Sequence, residues 1–516
     1  MTSSNQKPNV LFIICDALRA DYLGCYGNPD IQTPNIDRLA KQGMRFVNYY
    51  AANPICMPNR ASLLTGQYPN THGVRSNGMI MDEMIPTLVK TLAKRGWHTA
   101  AIGKIHHQFW MGSTSRKYKS AEDIASWVMK PEQQKLYPVA ENFPLPYYGY
   151  EEVEVVSGNG CICSGHYTKW LEKKNSEVSQ EIITRCYDFR QLFDLFCAPI
   201  AEEYNSSTYI TERTIAFLDR VANKKYGDKP FYLHCSFNDP HYPIYPPDRL
   251  QERYKTKDMH LPENFNDKNN LKSHKYLSNF LYTNPDAFFK KAFLKETHEE
   301  ELKKLKALTL ASIAYVDECV GKILKHLEDV GQADNTIVIF TSDHGDLMGD
   351  HGLLFKGPCP YDGIMKIPLI WRNPDMINSG IVCDSFISSV DYTPTLLTLL
   401  GVKPKFHPPN MQGFDMTPLF QNPNKEIREH CYIEADEEMN PMVSRLRHLI
   451  TKQFKLTVYE EMPGFGDLYD RLNDPLELTN LWEHPNYQKI RVELVEKLLF
   501  EVLKNQSRFP RRIAGS

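Results

Sequence analysis

Asn9-Val10-Leu11-Phe12-Ile13-Ile14-Cys15-Asp16 is an unbroken apolar run that ends in a carboxylate. Such a run predicts a parallel strand that is buried on both faces and carries a functional residue at its carboxyl end. Similar runs recur at His98–Gly103, Phe231–Phe237 and Thr336–Ser342, with helical patterns between them. This alternation predicts an α/β fold with right-handed crossovers, in which helices sandwich a large mixed sheet that is mostly parallel.

The pattern changes after about residue 413. Short strand candidates follow one another at Glu429–Glu434, Arg447–Lys452 and Lys455–Tyr459, and a helical pattern covers Asn486–Asn505. Closely spaced short strands predict a short antiparallel sheet. We therefore expect a smaller α+β domain at the carboxyl end of the chain.

These patterns divide the chain into a catalytic α/β domain over residues 1–412 and a smaller domain over residues 413–516. The irregular stretch at about 108–206 is interpreted as insertions over the active face, with a peripheral strand near Glu151–Val156. The polar stretch at about 250–300 is interpreted as a second insertion, because charge-rich runs are usually solvated surface. Loops over the active face would select the substrate.

The composition excludes several classes of partner. The chain has 516 residues, 24% of them charged, and a net charge of -3. This balance argues against general affinity for nucleic acid or for an anionic membrane, and no apolar run approaches the ~20 residues that span a bilayer. The first residues are polar and show no export signal, so we expect a cytoplasmic protein.

Twelve cysteines are scattered along the chain. Only Cys161 and Cys163 form a close pair, and their spacing is not that of a zinc site. We therefore expect buried free thiols in a reducing compartment, with a metal or redox role for this pair as the weaker alternative.

A second stretch, Cys56-Met57-Pro58-Asn59-Arg60-Ala61-Ser62-Leu63-Leu64-Thr65-Gly66, carries the candidate chemistry. Pro in the first turn and Gly after the last are typical of a short helix. Cys56 would then lie at a helix start that attracts anions, and Arg60 would lie about one turn away. A lone Cys before a Pro is more often a small buried apolar residue.

Polar side chains follow four of the expected strands. Carboxyl ends of strands in open α/β sheets gather where ligands bind, so these groups should meet. Two carboxylates and an imidazole suit one divalent cation, lysines suit a bound oxyanion, and an imidazole suits a proton donor for a leaving alkoxide. The expected metal ligands are Asp16, Asp343 and His344, the anion-binding residues are Lys104 and Lys356, and the proton donor is His241.

The spacing Cys-x-Pro-x-Arg followed by Ala-Ser-Leu-Leu-Thr-Gly resembles the signature of the type I sulfatases. The resemblance implies that a maturation enzyme converts Cys56 to formylglycine, whose hydrated aldehyde is the nucleophile and also a metal ligand. It implies an alkaline phosphatase-like fold and one divalent metal, most readily Ca2+, with Mg2+ or Mn2+ as alternatives. At position 59 the signature more often has Ser or Thr than Asn.

Other residues extend the resemblance over most of the chain. Asp16 matches the first metal carboxylate of the family and Asp343-His344 its later metal pair, whereas Ala17 stands where many sulfatases have a further ligand. Gly103-Lys104-x-His106 is similar to an element in which Lys binds sulfate and His contacts formylglycine. His241 and Lys356 match the remaining His and Lys. The segment Gly466–Asp470, followed by Asn473–Leu481, matches a hallmark near the carboxyl end.

The resemblance implies a mechanism in which the nucleophile at position 56, held by Arg60 and the metal, attacks sulfur in line. The alcohol leaves with a proton from His241, helped by Lys356, and His106 takes a proton as sulfate is expelled. The expected substrate is a sulfated sugar or an aryl sulfate, and the oligomeric state is left open. One alternative is a phosphonate monoester hydrolase or phosphodiesterase of the same superfamily, which Lys104 and His106 disfavour. The other is a non-catalytic anion-binding homologue.

Overall fold

The fold is taken from a computed structural model. It describes residues 7–111, 119–124, 127, 143–187, 194–267, 298–357, 359–437 and 444–506.

Within these residues the strands are numbered in chain order. They are β1 Asn9–Asp16, β2 Met44–Phe46, β3 Tyr49–Tyr50, β4 His98–Gly103, β5 Glu152–Asn159, β6 Ile162–Gly165, β7 Phe231–Pro240, β8 Thr336–Ser342, β9 Leu369–Arg372, β10 Ile381–Cys383, β11 Ile387–Ser388, β12 His430–Glu437, β13 Ser444–Thr451, β14 Phe454–Tyr459 and β15 Gly466–Asp470.

The α-helices of the same residues are numbered separately. They are α1 Pro34–Lys41, α2 Cys56–Thr65, α3 Pro69–His72, α4 Leu88–Lys94, α5 His166–Lys174, α6 Ser176–Tyr187, α7 Ser206–Ala222, α8 Asp248–Gln251, α9 Glu299–Asp329, α10 Asp362–Met365, α11 Tyr392–Leu399, α12 Thr417–Gln421 and α13 Gln488–Lys504.

The main sheet has nine strands in the order β10-β2-β9-β8-β1-β7-β4-β5-β6. Strands β8, β1, β7, β4 and β5 run parallel, and β9 and β6 are antiparallel to their neighbours within the sheet. Every residue of β1 is buried, as expected of a strand that has a neighbour on each side and helices on both faces. The prediction of a large mixed sheet, mostly parallel, is confirmed.

The carboxyl-terminal part of the chain forms an antiparallel sheet in the order β12-β13-β14-β15. The apolar face of this sheet packs against α13 through Leu494 and Leu498, which join one hydrophobic cluster with Leu449 and Leu456. The short antiparallel sheet is therefore confirmed. The division of the chain at residues 412 and 413 stays a prediction.

The structure contains more regular structure between residues 108 and 206 than the sequence indicated. The strand predicted near Glu151–Val156 is β5, which runs to Asn159, pairs with β4 in the main sheet and turns back as β6. Helices α5 and α6 follow. Short strands with β-branched residues but few turn signals are hard to separate from loops by pattern alone.

Two of the cysteines are not free thiols. Cys161 and Cys197 form a disulfide, so the expectation of free thiols is wrong for this pair. Disulfides persist mainly in oxidising compartments, and the cytoplasmic location stays a prediction. In the described part of the chain, no helix combines the length and the apolar character that crossing a membrane requires.

Candidate active site

The polar residues that follow the central strands meet at one edge of the main sheet. Asp16 ends β1, Lys104 follows β4, His241 follows β7, and Asp343 and His344 follow β8. These four strands are parallel neighbours, so their carboxyl ends lie side by side. All five side chains are buried, which makes their mutual contacts strong because little water screens them.

Cys56 is the first residue of α2, and every residue of this helix is buried. Lys356 Nζ lies 2.7 Å from the Cys56 sulfur, and His344 Nε2 lies 3.2 Å from it. Burial raises the pKa of the thiol, but the Lys356 ammonium, with help from Lys104 and His344, lowers it to about 7. The helix start and its cationic neighbours therefore favour an anionic group at position 56.

Arg60 and Asn59 brace the helix against the loop after β8. Arg60 Nε donates to Asp343 Oδ2 at 2.7 Å, and Arg60 Nη1 donates to the Lys104 carbonyl at 2.7 Å. Asn59 Nδ2 donates to the Asp343 carbonyl at 2.6 Å, and Asn59 Oδ1 accepts from the Ala52 N–H at 3.0 Å. The Asn59 side chain donates through Nδ2 and accepts through Oδ1 at the same time. These two contacts are a structural reason for Asn at position 59.

Lys104 lies between Asp16 and Asn159. Its ammonium donates to Asp16 Oδ2 and to Asn159 Oδ1, and the first contact is an ion pair with both partners buried. Burial raises the pKa of Asp16, but Lys104 and His241 outweigh it and hold that pKa well below its usual value. Asp16 is therefore a carboxylate.

Lys356 connects the thiol to the two imidazoles. Its Nζ lies 2.7 Å from His344 Nε2 and 3.2 Å from His241 Nε2. His241 Nδ1 lies 2.6 Å from the Tyr242 carbonyl, which accepts only, so Nδ1 carries the proton and Nε2 accepts from Lys356. Burial lowers the pKa of His241 well below its usual value.

The geometry fits a metal ion at this point. One ligand atom each from Asp16, Cys56, His241 and His344 lies within 4.8 Å of the others. Asp16 Oδ1 is buried, and His344 Nε2 lies 3.3 Å from it without completing a hydrogen bond, so a bound cation would complete its surroundings. Of the ligands predicted from sequence, three are in this group.

Asp343, the remaining predicted ligand, has other contacts in this structure. Its Oδ1 accepts from the backbone N–H groups of Ala17 at 3.2 Å and His344 at 2.9 Å, and its Oδ2 accepts from Arg60. The group of side chains that could hold a metal ion contains His241 and not Asp343. Ala17 has a φ of 64°, and its backbone N–H contacts the site although its side chain offers no ligand.

His106 lies in the loop that follows β4 and is 2% exposed. Burial, Lys104 and Arg60 lower its pKa well below the usual value, so the ring is a neutral base. Its backbone N–H donates to Glu122 Oε2 at 2.6 Å. Eight of the nine residues predicted from sequence contact one another here, and His106 lies two residues after Lys104; their roles stay predictions.

Three residues of the site carried no sequence signal. Asn159 contacts Lys104, Asn77 Oδ1 accepts from the Met57 N–H at 3.1 Å, and Glu122 holds the His106 loop. Asn77 and Asn159 are single amides outside any motif, and Glu122 is one of 63 acidic residues in the chain. Only the fold brings them to the site.

Comparisons with known proteins agree with this geometry. Residues 8–402 match the Sulfatase family, and residues 349–504 match the carboxyl-terminal region of N-sulphoglucosamine sulphohydrolase. An arylsulfatase of Clostridium perfringens (strain 13 / Type A) is 29% identical over 509 residues, which cover 97% of this chain and 95% of the relative.

Two solved structures share the fold. BT4656 in complex with its substrate D-glucosamine-2-N,6-O-disulfate has a TM-score of 0.72 and 22% identity, covering 99% of this chain and 100% of the other. The phosphonate monoester hydrolase of Agrobacterium radiobacter has a TM-score of 0.76 and 23% identity, covering 98% of this chain and 97% of the other.

Proposed function

The chain belongs to the sulfatase family and is a sulfuric ester hydrolase, and from this premise we propose that it removes sulfate from a sulfated carbohydrate. The nucleophile in this proposal is formylglycine, made from Cys56 by a maturation enzyme, and one divalent metal assists it. The observation that carries the proposal is the placement of Cys56 Sγ 2.7 Å from Lys356 and 3.2 Å from His344.

The metal is proposed from the ligand atoms around Asp16 Oδ1. Asp16, His344 and the side chain at position 56 would hold it, with Asp343 or His241 completing the shell. A bound divalent cation would polarise the attacking oxygen and neutralise the anionic substrate. Oxygen donors favour Ca2+, Mg2+ or Mn2+, and we retain Ca2+ as the first candidate.

The anion site is formed by groups of this chain alone. Lys104 and Lys356 present ammonium groups, and Arg60 Nη2 is buried without a hydrogen-bond partner. These groups can donate to the oxygens of a sulfate, and in a water-poor site such contacts are far stronger than in bulk water. Arg60 also orients the substrate, because Asp343 and the Lys104 carbonyl fix its other nitrogens.

Proton movements are assigned to His241, Lys356 and His106. Lys356 Nζ donates to His241 Nε2, so this pair can deliver a proton to the leaving alkoxide. His106 is buried and neutral, and its Nδ1 has no hydrogen-bond partner. It is therefore proposed to accept the proton that is lost when sulfate is released. The hydrated aldehyde would supply the second hydroxyl that this release requires.

The substrate class is proposed from the two kinds of relative. The Clostridium perfringens relative is an arylsulfatase, and the BT4656 structure contains a sulfated glucosamine. An aryl sulfate and the 6-O-sulfate group of the glucosamine are both sulfate monoesters. We favour the sugar because a sulfated glucosamine is bound as substrate in the BT4656 structure.

The test compares turnover of an aryl sulfate, a 6-O-sulfated glucosamine and an aryl phosphonate monoester by the same preparation. The mass of the tryptic peptide Phe46–Arg60 reports the fraction of aldehyde, so that rates are expressed per modified enzyme. We expect both sulfates to turn over faster than the phosphonate. A faster phosphonate reaction at full modification would refute the sulfatase assignment.

Phosphonate monoester hydrolysis is the second candidate. The Agrobacterium radiobacter enzyme has the same fold with a TM-score of 0.76, and the tetrahedral anions of phosphorus and sulfur differ little in shape. Lys104 and His106 argue for sulfate, because phosphonate hydrolases of this superfamily tend to have Tyr and Thr at these positions.

A further inference from the structure

The loop after β4 leaves the sheet in a conformation that is unusual for residues with side chains. Gly103, the last residue of the strand, has a φ of 103°, and His106 has a φ of 57°. A Cβ atom on Gly103 would lie 1.9 Å from the Ser236 carbonyl oxygen, so only glycine fits there. The left-handed region is sparsely populated by other residues, and His106 keeps this conformation only if its surroundings impose it.

The surroundings of His106 are dominated by the carboxylate of Glu122, which is 1% exposed. Glu122 Oε2 accepts from the His106 N–H at 2.6 Å. Oε1 accepts from the His107 N–H at 2.8 Å, the Gln108 N–H at 3.2 Å and the Tyr147 hydroxyl at 2.7 Å. Three successive backbone N–H groups on one anion form a nest. Among the described residues, no cation forms an ion pair with Glu122; burial raises the pKa of this carboxyl, and the four donors act in the opposite direction.

The contact between the two segments is reciprocal. Gln108 Oε1 accepts from the Ala121 N–H at 2.7 Å, and the Ser120 hydroxyl donates to the Phe109 carbonyl at 2.5 Å. Ser120 Oγ also accepts from the Glu122 N–H at 3.0 Å. The two segments therefore hold each other at several points, and the carboxylate is the point closest to His106.

We propose that Glu122 is a positioning residue, which fixes the His106 ring for the half-reaction that releases sulfate. This inference rests on the proposed function. In that step His106 takes the proton of the free hydroxyl at position 56, and the O–H electron pair becomes the carbonyl bond. The C–O bond to sulfate breaks, and its electron pair leaves with sulfate. The first half-reaction, in which the alcohol leaves, uses His241 and Lys356 and does not depend on Glu122.

The Glu122→Gln variant tests this division. The Gln side chain keeps one acceptor oxygen, but its NH2 group faces backbone N–H groups that need an acceptor. The loop that carries His106 therefore loses some of the hydrogen bonds that hold it. Small misplacements of a catalytic group cost about 100-fold. We expect kcat for an aryl sulfate to fall about 10- to 100-fold, with KM falling in proportion and kcat/KM retained. A burst of about one alcohol per modified enzyme should precede the slow phase.

Tyr147→Phe is the matched control, because it removes one hydrogen bond from the same carboxylate and leaves the three backbone donors in place. This variant should show no burst and nearly unchanged kcat. A Glu122→Gln variant in which kcat falls with KM unchanged and no burst would reduce Glu122 to a merely structural residue and overturn the proposal.

Two further readouts keep the outcomes separate. If Glu122→Gln does not fold, Gln108→Ala removes a hydrogen bond between the same two segments, the one to the Ala121 N–H. This variant should give the same joint fall of kcat and KM at smaller amplitude. Normal kinetics in Gln108→Ala would overturn the proposal. Failure of the proposed function is seen in the unsubstituted protein, which would then not hydrolyse sulfate monoesters although its peptide mass shows the aldehyde.

Discussion

Two clusters of charged side chains, one buried and one partly exposed, differ in how their charges balance. The strand-end cluster at the candidate active site places Lys104, Lys356 and Arg60 against the carboxylates of Asp16 and Asp343. The sheet cluster, formed by Lys455, Arg471, Asp362 and Glu477, lies where the antiparallel sheet meets α10.

The sheet cluster is balanced, with two cations and two carboxylates. Lys455 is fully buried, donates to Asp362 at 2.9 Å and forms an ion pair with Glu477. Burial lowers the pKa of Lys455 to about 8, although Asp362 acts in the opposite direction. Each of the four groups contacts an opposite charge within the cluster, and we assign the cluster a role in holding the antiparallel sheet against α10.

The strand-end cluster has more cations than carboxylates, and two of its buried polar atoms make no hydrogen bond, one of them 3.3 Å from His344 Nε2. Arg60 Nη2 and Asp16 Oδ1 have no hydrogen-bond partner. Buried groups of this kind are costly unless something completes their bonding. An excess of positive charge with open donors indicates an anion site, whereas buried charge alone does not. The comparison therefore gives a criterion that separates the site from a structural ion pair.

The largest effect should come from Cys56→Ala. Without a nucleophile at position 56, multiple turnover of sulfate monoesters should fall by at least about 10⁴-fold, while thermal unfolding shifts little. The measurement is steady-state hydrolysis of an aryl sulfate. Cys25→Ser, a half-buried cysteine outside the site, is the control and should retain activity. A fully active alanine variant would remove position 56 from the chemistry.

Metal removal should have the next largest effect. Exhaustive chelation should lower kcat about 1,000-fold, because electrostatic stabilisation by a bound cation is worth several kcal/mol. Activity should return on addition of Ca2+, Mg2+ or Mn2+, and the order of rates identifies the preferred ion. Asp16→Asn should weaken metal binding in equilibrium dialysis. Full activity in buffer shown to be free of metal would contradict the ligand assignment.

The smallest effect on catalysis should come from the sheet cluster. Lys455→Met leaves the buried Glu477 and the partly exposed Asp362 with fewer cationic partners, and breaking a buried pair costs about 3–5 kcal/mol of unfolding free energy. The measurement is denaturant unfolding, followed by kcat per folded molecule well below the midpoint of thermal unfolding. We expect lower stability and unchanged kcat. A large fall in kcat would show that the two clusters are coupled.

The central sheet and the position of the site were predictable because each rests on local patterns. The run from Val10 to Cys15 is apolar throughout, and such a run has few alternatives to a buried parallel strand. Parallel strands in one sheet bring their carboxyl ends together, so Asp16, His241 and Asp343 had to meet once the strands were assigned.

Contacts between distant segments were not predictable. Nothing in the sequence around Glu122 distinguishes it from other acidic residues, because its partners are backbone N–H groups and these have no sequence signature. The pairing of Cys161 with Cys197 depends on the path of the chain through β6 and α6. The contact of the Ala17 backbone with Asp343 required a φ angle that the residue type does not indicate.

Complete burial of α2 has a consequence for the timing of maturation. Cys56 is 1% exposed, and Asn59 and Arg60 are fixed inside the protein by partners from distant segments. An enzyme that recognises this stretch can reach it only while the chain is still unfolded. Under the proposed conversion of Cys56 to formylglycine, the yield of active protein would be set by the relative rates of Cys56 oxidation in the nascent chain and of folding, and slower synthesis in a host with abundant maturation enzyme should raise it.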